Sequence, residues 1–335
     1  MFMNIINHFR LSGRLLFDRR VGAWLKSFML GLPIIYYIIP LPDDWLLFPF
    51  IGIIDDVIFI GILTLIFNGM CPRGLVTEHR EKIWKISPAP AFDLDAYRDP
   101  KEGRDLAIGF GVTFGLLAVF GYPAGLIGLF FFGAGYISSR ISRSSVLANA
   151  VQVTPQQLPE IYQSLAEAKR HLPEVKVNLL VTQNPSMNAF AFGFDEPYSI
   201  VLTSGLVEKF TPDEMQAVIG HELGHILFEH VRLTSLMGGI GSWLRLLFYQ
   251  WSRSCEYSAD AVGLAACGGN LVPVVSTMIK LASGLTRSPI DVQAFLDQLD
   301  TEAGRDASVA EKLSTHPFIV NRVMRLKKLA AAGLV

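Results

Sequence analysis

His221, Glu222 and His225 stand in the spacing H-E-x-x-H, and the residues before them read as the start of a helix. Thr211-Pro212-Asp213-Glu214 offers a Thr cap, Pro at the first helical position and Glu three residues after the cap. Met215, Val218, Ile219, Leu223, Ile226 and Leu227 then recur at three- and four-residue spacing and carry an apolar face through the motif. Residues four apart share a helix face, so both imidazoles can reach one metal ion. Zinc takes neutral imidazole nitrogen at about 2.0–2.1 Å, and catalytic sites add a third protein ligand while keeping one position for water. Glu222 lies where a carboxylate can take a proton from that water. Two packing histidines on an amphipathic helix would give the same letters, and the residues downstream separate the two readings. Glu256-Tyr257-Ser258-Ala259-Asp260 opens a second helix-compatible run that stops at Gly268-Gly269. Glu256 is the expected third ligand. Asp260, one turn later on the same face, can accept a hydrogen bond from the non-ligating nitrogen of a zinc histidine and fix its tautomer. The plain alternative for both is a pair of solvated carboxylates.

The C-terminal half resembles the HtpX-like gluzincin metallopeptidases, a group that includes the CAAX prenyl endopeptidases and the Oma-type mitochondrial peptidases. The resemblance covers roughly Val151 to Ala331. It rests on Asn188-Ala189-Phe190-Ala191, Thr203-Ser204-Gly205-Leu206, His221 to His225, Glu256 to Asp260 and Thr315-His316-Pro317, in the family's order. It implies an α+β zincin-type domain holding one zinc ion per chain on His221, His225 and Glu256, with Glu222 as general base. It also implies that Asn188, Ala189, Phe190 and Ala191 form the strand edge along which substrate backbone lies. His316 is implied to assist at the substrate carbonyl, with Tyr257 a second possible donor to the oxyanion. Without the resemblance, His316 reads equally as a cap on the helix that Pro317 starts. The expected function is a membrane-anchored zinc endopeptidase acting on membrane or misfolded proteins. A zinc-binding scaffold, a latent protease and a prenyl-protein processing peptidase are the alternatives. Glu222 favours an enzyme, since a scaffold has no use for it.

Of 335 residues, 51% are hydrophobic and 18% charged, more apolar than an ordinary soluble domain, with the excess before residue 140. The formal net charge is −1, so there is neither a nucleic-acid footprint nor an acidic tail. Three cysteines, Cys71, Cys255 and Cys267, lack paired spacing and argue against a disulfide framework. Cys71, in Met70-Cys71-Pro72, reads as a loop cysteine rather than an inhibitory thiol on zinc.

The first apolar block runs from Trp24 to Phe67, broken by Pro40-Leu41-Pro42-Asp43-Asp44. Each arm is near the lower limit of about 17–25 residues for a spanning helix. The second arm carries Asp55 and Asp56, which helix–helix or helix–loop hydrogen bonding explains better than a functional pair. Ile39 to Asp44, Gly52 and Asp55-Asp56 are similar to the small bacterial YkvA-like domain. The second block, Leu106 to Ile137, has no charge in 32 residues and carries Gly121-Tyr122-Pro123 at its middle, which suits a tight hairpin; one Pro-kinked span is the rival. Arg10, Arg14, Arg19, Arg20 and Lys26 precede or open the first block. Seven basic residues from Arg73 to Arg104 lie between the blocks, and Arg140 and Arg143 follow. Two hairpins put every basic segment on one side, which the positive-inside rule makes cytoplasmic. A single second span would instead place the peptidase domain in the periplasm.

These readings give an α-helical, membrane-associated region 1–105 with a helical hairpin over 24–67, a hairpin or span over 106–137, a linker 138–154 and a zinc peptidase domain 155–335. The expected setting is the bacterial inner membrane, with polypeptide substrates, the lipid bilayer as partner, no nucleic acid and an oligomeric state left open. Within the domain, Pro155 to Arg170 has helical spacing, Val175–Val181 and Tyr198–Thr203 are strand-like, and Asn184-Pro185-Ser186 signals a turn between them. Val231 to Tyr249 reads as a helix-rich insertion packing on the domain, or as a surface that touches the bilayer.

Overall fold

The structure, a computed structural model, describes residues 2–38, 60–61, 63–64, 67–68, 71, 73–84, 92–120, 137, 141, 144–193, 196–237, 242–285, 291–302 and 317–332. The chain forms two units, residues 1–96 with 106–130, and residues 97–105 with 131–335.

The first unit holds α1 (Phe2–Phe17), α2 (Ala23–Ile38), α3 (Arg73–Trp84) and, from Leu106, most of α4 (Glu102–Phe120). Leu11 and Leu15 bury one face of α1. Asp18, just beyond that helix, accepts from Arg20 and lies 2.9 Å from His79 Nε2 on α3. Cys71 is buried, and burial pushes its thiol up to about 12. Among the described residues no helix is long and apolar enough to cross a membrane. The interruption at Pro40–Asp44, the Asp55-Asp56 pair and the Gly121-Tyr122-Pro123 turn, and with them the expected hairpins, lie outside the described residues.

The second unit is built on a four-stranded sheet ordered β1-β2-β4-β3. Its strands are β1 (Val151–Gln152), β2 (Val177–Thr182), β3 (Ala189–Phe192) and β4 (Tyr198–Thr203). β2 runs parallel to β4 and antiparallel to β1, and β3 runs antiparallel to β4. β2 and β4 match the strand-like runs Val175–Val181 and Tyr198–Thr203 and β3 overlaps the implied edge at Asn188–Ala191, whereas β1 falls in the anticipated linker. Every residue of β4 is buried, which suits the apolar wording of Tyr198–Thr203. β3 is the terminal strand. Thr203 N donates to Asn188 O, so in the register Ala189↔Leu202 the pairs alternate. The N–H and C=O of Ala189 and Ala191 therefore face away from β4.

Around the sheet lie α5 (Pro159–Arg170), the short α6 (Ser204–Val207), α7 (Pro212–Leu227), α8 (His230–Met237), α9 (Ser242–Ala266), α10 (Leu271–Ser283), α11 (Val292–Glu302) and α12 (Ile319–Ala331). Met215, Val218, Ile219, Leu223 and Ile226 bury the face of α7 that their spacing predicts. The run expected to open at Glu256 instead begins at Ser242, and Glu256 sits in the middle of α9. Gln250 to Cys255 contain neither Gly nor Pro, so nothing divides the presumed insertion from the helix that follows it. α7 and α9 cross with almost no space between their backbones. A Cβ at Gly224 would lie 2.8 Å from Ala259 Cα, and one at Gly220 would lie 2.4 Å from Ala266 Cβ.

The start of α7 is fixed by a capping box. Glu214 N donates to Thr211 Oγ1 at 3.3 Å, and Thr211 N donates to Glu214 Oε2 at 2.9 Å. The same carboxylate accepts from Ser276 and Lys280 on α10, each at 2.6 Å. Burial alone would raise the Glu214 pKa, but Lys280, Ser276 and the Thr211 N–H hold it below the usual carboxylate value. A carboxyl with a depressed folded pKa stabilises the fold above its unfolded pKa, and that contribution disappears as pH falls through the folded value. Glu214→Gln is therefore expected to lower stability at pH 7 by about 1–2 kcal/mol, the sum expected for a weakened cap and lost charge-assisted hydrogen bonds. Thermal unfolding from pH 7 down to pH 3 should show the gap to the unsubstituted protein closing in acid. A gap that is constant across that range would mean the charge of Glu214 contributes nothing.

Candidate active site

Three helices of the second unit meet at one cluster. α7 supplies His221, Glu222 and His225, α9 supplies Glu256 and Asp260, and α12 supplies Arg322. The Nε2 atoms of His221 and His225 lie 3.1 Å apart. Glu256 faces both, with Oε2 3.7 Å from His221 Nε2 and Oε1 3.5 Å from His225 Nε2. Two ligands held tetrahedrally at 2.0–2.1 Å stand about 3.3–3.4 Å apart, so this donor set fits one small cation such as zinc.

Each imidazole has a separate partner on its other nitrogen. His221 Nδ1 is 3.0 Å from Asp260 Oδ1. Arg322 grips the same carboxylate with two bonds, Nε to Oδ2 at 2.7 Å and an Nη to Oδ1 at 2.5 Å, and reaches Glu256 at 3.4 Å. Burial would raise the pKa of Asp260, yet Arg322 and His221 hold it down. Glu256 behaves alike: burial opposes its charge, while His225, Arg322 and His221 keep it well below the ordinary range. Burial lowers His221, but Asp260 and Glu256 prevail and raise it.

His225 Nδ1 lies 3.1 Å from Nδ1 of His230, which stacks on Phe228 and meets Trp251 edge-on. His230 follows Glu229, whose φ of 61° is left-handed and separates α7 from α8. Its Nε2 is 3.1 Å from Oε1 of Glu102. Glu102 is buried at the start of α4, where it accepts from Arg98 at 2.8 Å and from Ser258 of α9 at 2.6 Å. Burial pushes against its charge, but His230, Arg98 and Ser258 bring its pKa to about 2. Burial pushes His230 down to about 4 despite that carboxylate. Arg325 pairs with Asp99, whose N–H donates to Ser258 Oγ, so residues 97–105 are bound to α9 and α12. The sequence alone groups those residues with the N-terminal region.

The cluster opens on a cavity of about 760 Å³. Asn188 and Ala189–Ala191 of β3 form one wall, His221, Glu222 and Glu256 another, and Pro317 and Phe318 also line it. The structure thus brings together His221, Glu222, His225, Glu256, Asp260 and the Asn188–Ala191 segment. Tyr257 does not line the cavity; its ring lies under the Arg325 guanidinium at 4.9 Å. His316 lies outside the described residues. Three residues went unread in the sequence. Arg322 sits in a run with Arg325, Lys327 and Lys328 that looks like a solvated basic face. His230 and Glu102 belong to no metal-ligand spacing, although His230 follows His225 by five residues, which puts it within reach of the motif.

Residues 153–250 and 237–330 match the sequence model of Peptidase family M48. Among curated relatives, "Protease HtpX homolog" of Helicobacter pylori (strain J99) is 31% identical over 206 residues, covering 49% of this chain and 63% of the relative. A protein of the same description from Moorella thermoacetica is 27% identical over 242 residues, covering 58% and 79%. "Plastoglobule-localized metallopeptidase 48, chloroplastic" of Arabidopsis thaliana is 33% identical over 182 residues, covering 49% and 52%. The chain spans less than two thirds of the length of the first and third of these relatives. The matched stretch contains His221, His225 and Glu256 together with the strands and helices that hold them. This chain belongs to Peptidase family M48.

Proposed function

We propose that this chain is a membrane-attached, zinc-dependent endopeptidase that hydrolyses peptide bonds in extended segments of polypeptide. The observation that carries the reading is the convergence of His221 Nε2, His225 Nε2 and Glu256 on one point of a cavity that Glu222 and a terminal strand also line. His221, His225 and Glu256 hold the zinc, which when bound supplies Lewis acidity toward water and a peptide carbonyl. Glu222 accepts the proton of the attacking water and passes it to the leaving amine nitrogen, as general base and then general acid. Asp260, gripped by Arg322, takes the Nδ1–H of His221 and orients that ring. The outward N–H and C=O groups of Ala189 and Ala191 receive the substrate backbone as an added strand, which gives affinity with little sequence preference. His316 is the proposed donor to the developing oxyanion.

Attachment to the membrane is supported by the charge-free block Leu106–Ile137 and by the basic residues flanking both apolar blocks. Those charges favour a cytoplasmic peptidase domain, and the proposed membrane is the bacterial inner membrane. The proposed organisation is an N-terminal region to about residue 96, an apolar block 106–137, and a peptidase domain that opens with β1 at Val151 and to which residues 97–105 also belong. Reporters fused after Arg20, at Asp95 and at Val335 should all read as cytoplasmic. A periplasmic signal at Val335 with a cytoplasmic one at Asp95 would place the active site on the other face.

Glu222→Gln is expected to keep zinc and fold while lowering kcat by about 10²–10⁴-fold, read by cleavage of an unfolded protein alongside elemental analysis. Near-normal cleavage would remove Glu222 from the mechanism. Glu256→Ala should instead lose stoichiometric zinc, and retention of one zinc per chain would place the third ligand elsewhere.

The strand makes a separate demand. Ala189→Pro removes one outward N–H and should raise KM for an unfolded substrate with a smaller effect on kcat. An unchanged KM would show that substrate runs elsewhere in the cavity.

A further inference from the structure

We propose that His230, held by Glu102, is the positioning residue that keeps His225 in the tautomer able to bind zinc. The inference rests on the zinc-peptidase reading and deepens it. His225 turns Nε2 toward His221 and Glu256, so ligation uses the Nε2 lone pair. A neutral imidazole carries one proton, which must then sit on Nδ1. That N–H points at His230 Nδ1, 3.1 Å away, and can donate only if His230 Nδ1 bears a lone pair. His230 must then carry its own proton on Nε2, which lies at ion-pair distance, 3.1 Å, from Glu102 Oε1 without the alignment of a hydrogen bond. The buried Glu102 carboxylate beside Nε2 favours a proton on that nitrogen, which leaves His230 Nδ1 free to accept from His225.

The surroundings leave little freedom. His230 and Glu102 are buried, at 2% and 3% exposure. Phe228 and Trp251 hold the His230 ring, and Arg98 and Ser258 hold the carboxylate. The left-handed residue Glu229 turns the chain so that His230 lies against His225. On His221 the same task falls to Asp260 and Arg322, so the two ligands are oriented by different devices.

Glu102, His230 and Cys255 also cluster closely enough to suggest a second metal site. The tautomers argue against it. A cation on His230 Nε2 would force the proton onto Nδ1, where it would meet the Nδ1–H of His225 head-on. Zinc on His225 and a metal on His230 exclude each other.

The test uses the full chain. His230→Phe keeps a planar ring and removes both nitrogens, whereas His230→Gln can still accept from His225 and donate to Glu102. Competition against a chromogenic zinc chelator should show zinc affinity falling 10–100-fold for His230→Phe, the range expected when a partner of a ligating histidine is lost. The Gln variant should stay within a few-fold of the unsubstituted protein. Equal affinity in all three proteins overturns the relay, as does a Gln variant that loses as much as Phe. If His230→Phe fails to fold, the Gln comparison and long-range ¹H–¹⁵N spectra of the zinc-loaded unsubstituted protein decide. A proton on His230 Nε2 supports the relay, and one on Nδ1 overturns it. Binding of a second zinc equivalent lost in Cys255→Ala would also overturn it. Failure of the unsubstituted protein to bind zinc at all would sink the peptidase reading itself, a different result from a zinc protein indifferent to His230.

Discussion

The site depends on how closely α7 and α9 approach. Gly220 and Gly224 leave no side chain between the two backbones, and a methyl at either would collide with Ala266 or Ala259. Gly224 is also the fourth letter of the H-E-x-x-H stretch, one residue before His225. The contact that brings Glu256 to the imidazoles is therefore written into the motif itself. Overpacking of a well-fitted core typically costs about 1–3 kcal/mol. Here the larger consequence is positional, because a shift of α9 moves Glu256 and Asp260 together.

Around this crossing the unit holds an unusual density of buried charge. Glu102, Glu256 and Asp260 are all sequestered, and each would be costly alone. Arg322 answers two of them and Arg98 the third, with His221, His230 and Ser258 filling remaining positions. Charges paired in this way resist protonation at neutral pH, so the carboxylates remain acceptors. The arrangement also explains why residues 97–105 belong with the second unit. Asp99, Glu102 and Asp105 each bond to a serine of α9, through Ser258 or Ser254.

Much of this was legible in the sequence because it lies in local periodicity. Thr211, Pro212 and Glu214 announce the cap, the apolar spacing of α7 gives its buried face, His221 and His225 share a face by helical spacing, and the family resemblance ties Glu256 and Asp260 to them. What was not legible depends on long-range pairing. Glu102 reaches His230 across 128 residues of sequence (230 minus 102), and Arg322 reaches Asp260 across 62. No local pattern encodes either, and a charged residue on a helix reads by default as solvated. The start of α9 differs from the expected boundary at Glu256 for a different reason: residues 250–255 contain no helix breaker. Residues 97–105 look like part of a charged connector until Ser254 and Ser258 are known to face them.

The shortness of β3 has a consequence for selectivity over time. Four residues in a strand turn only alternate backbone groups outward, here those of Ala189 and Ala191, and Gly193 at φ 135° ends the extended run. A guest strand can thus be held by only a few hydrogen bonds, each worth about 0.5–1.5 kcal/mol net. Such a grip is too weak to pull a segment out of a stable helix or sheet. On the proposed reading it would favour chains that are already loose and penalise those that are open only briefly, so residence on the edge would become a clock. A protein that refolded quickly would leave before Glu222 acted, and one that stayed open would be cut.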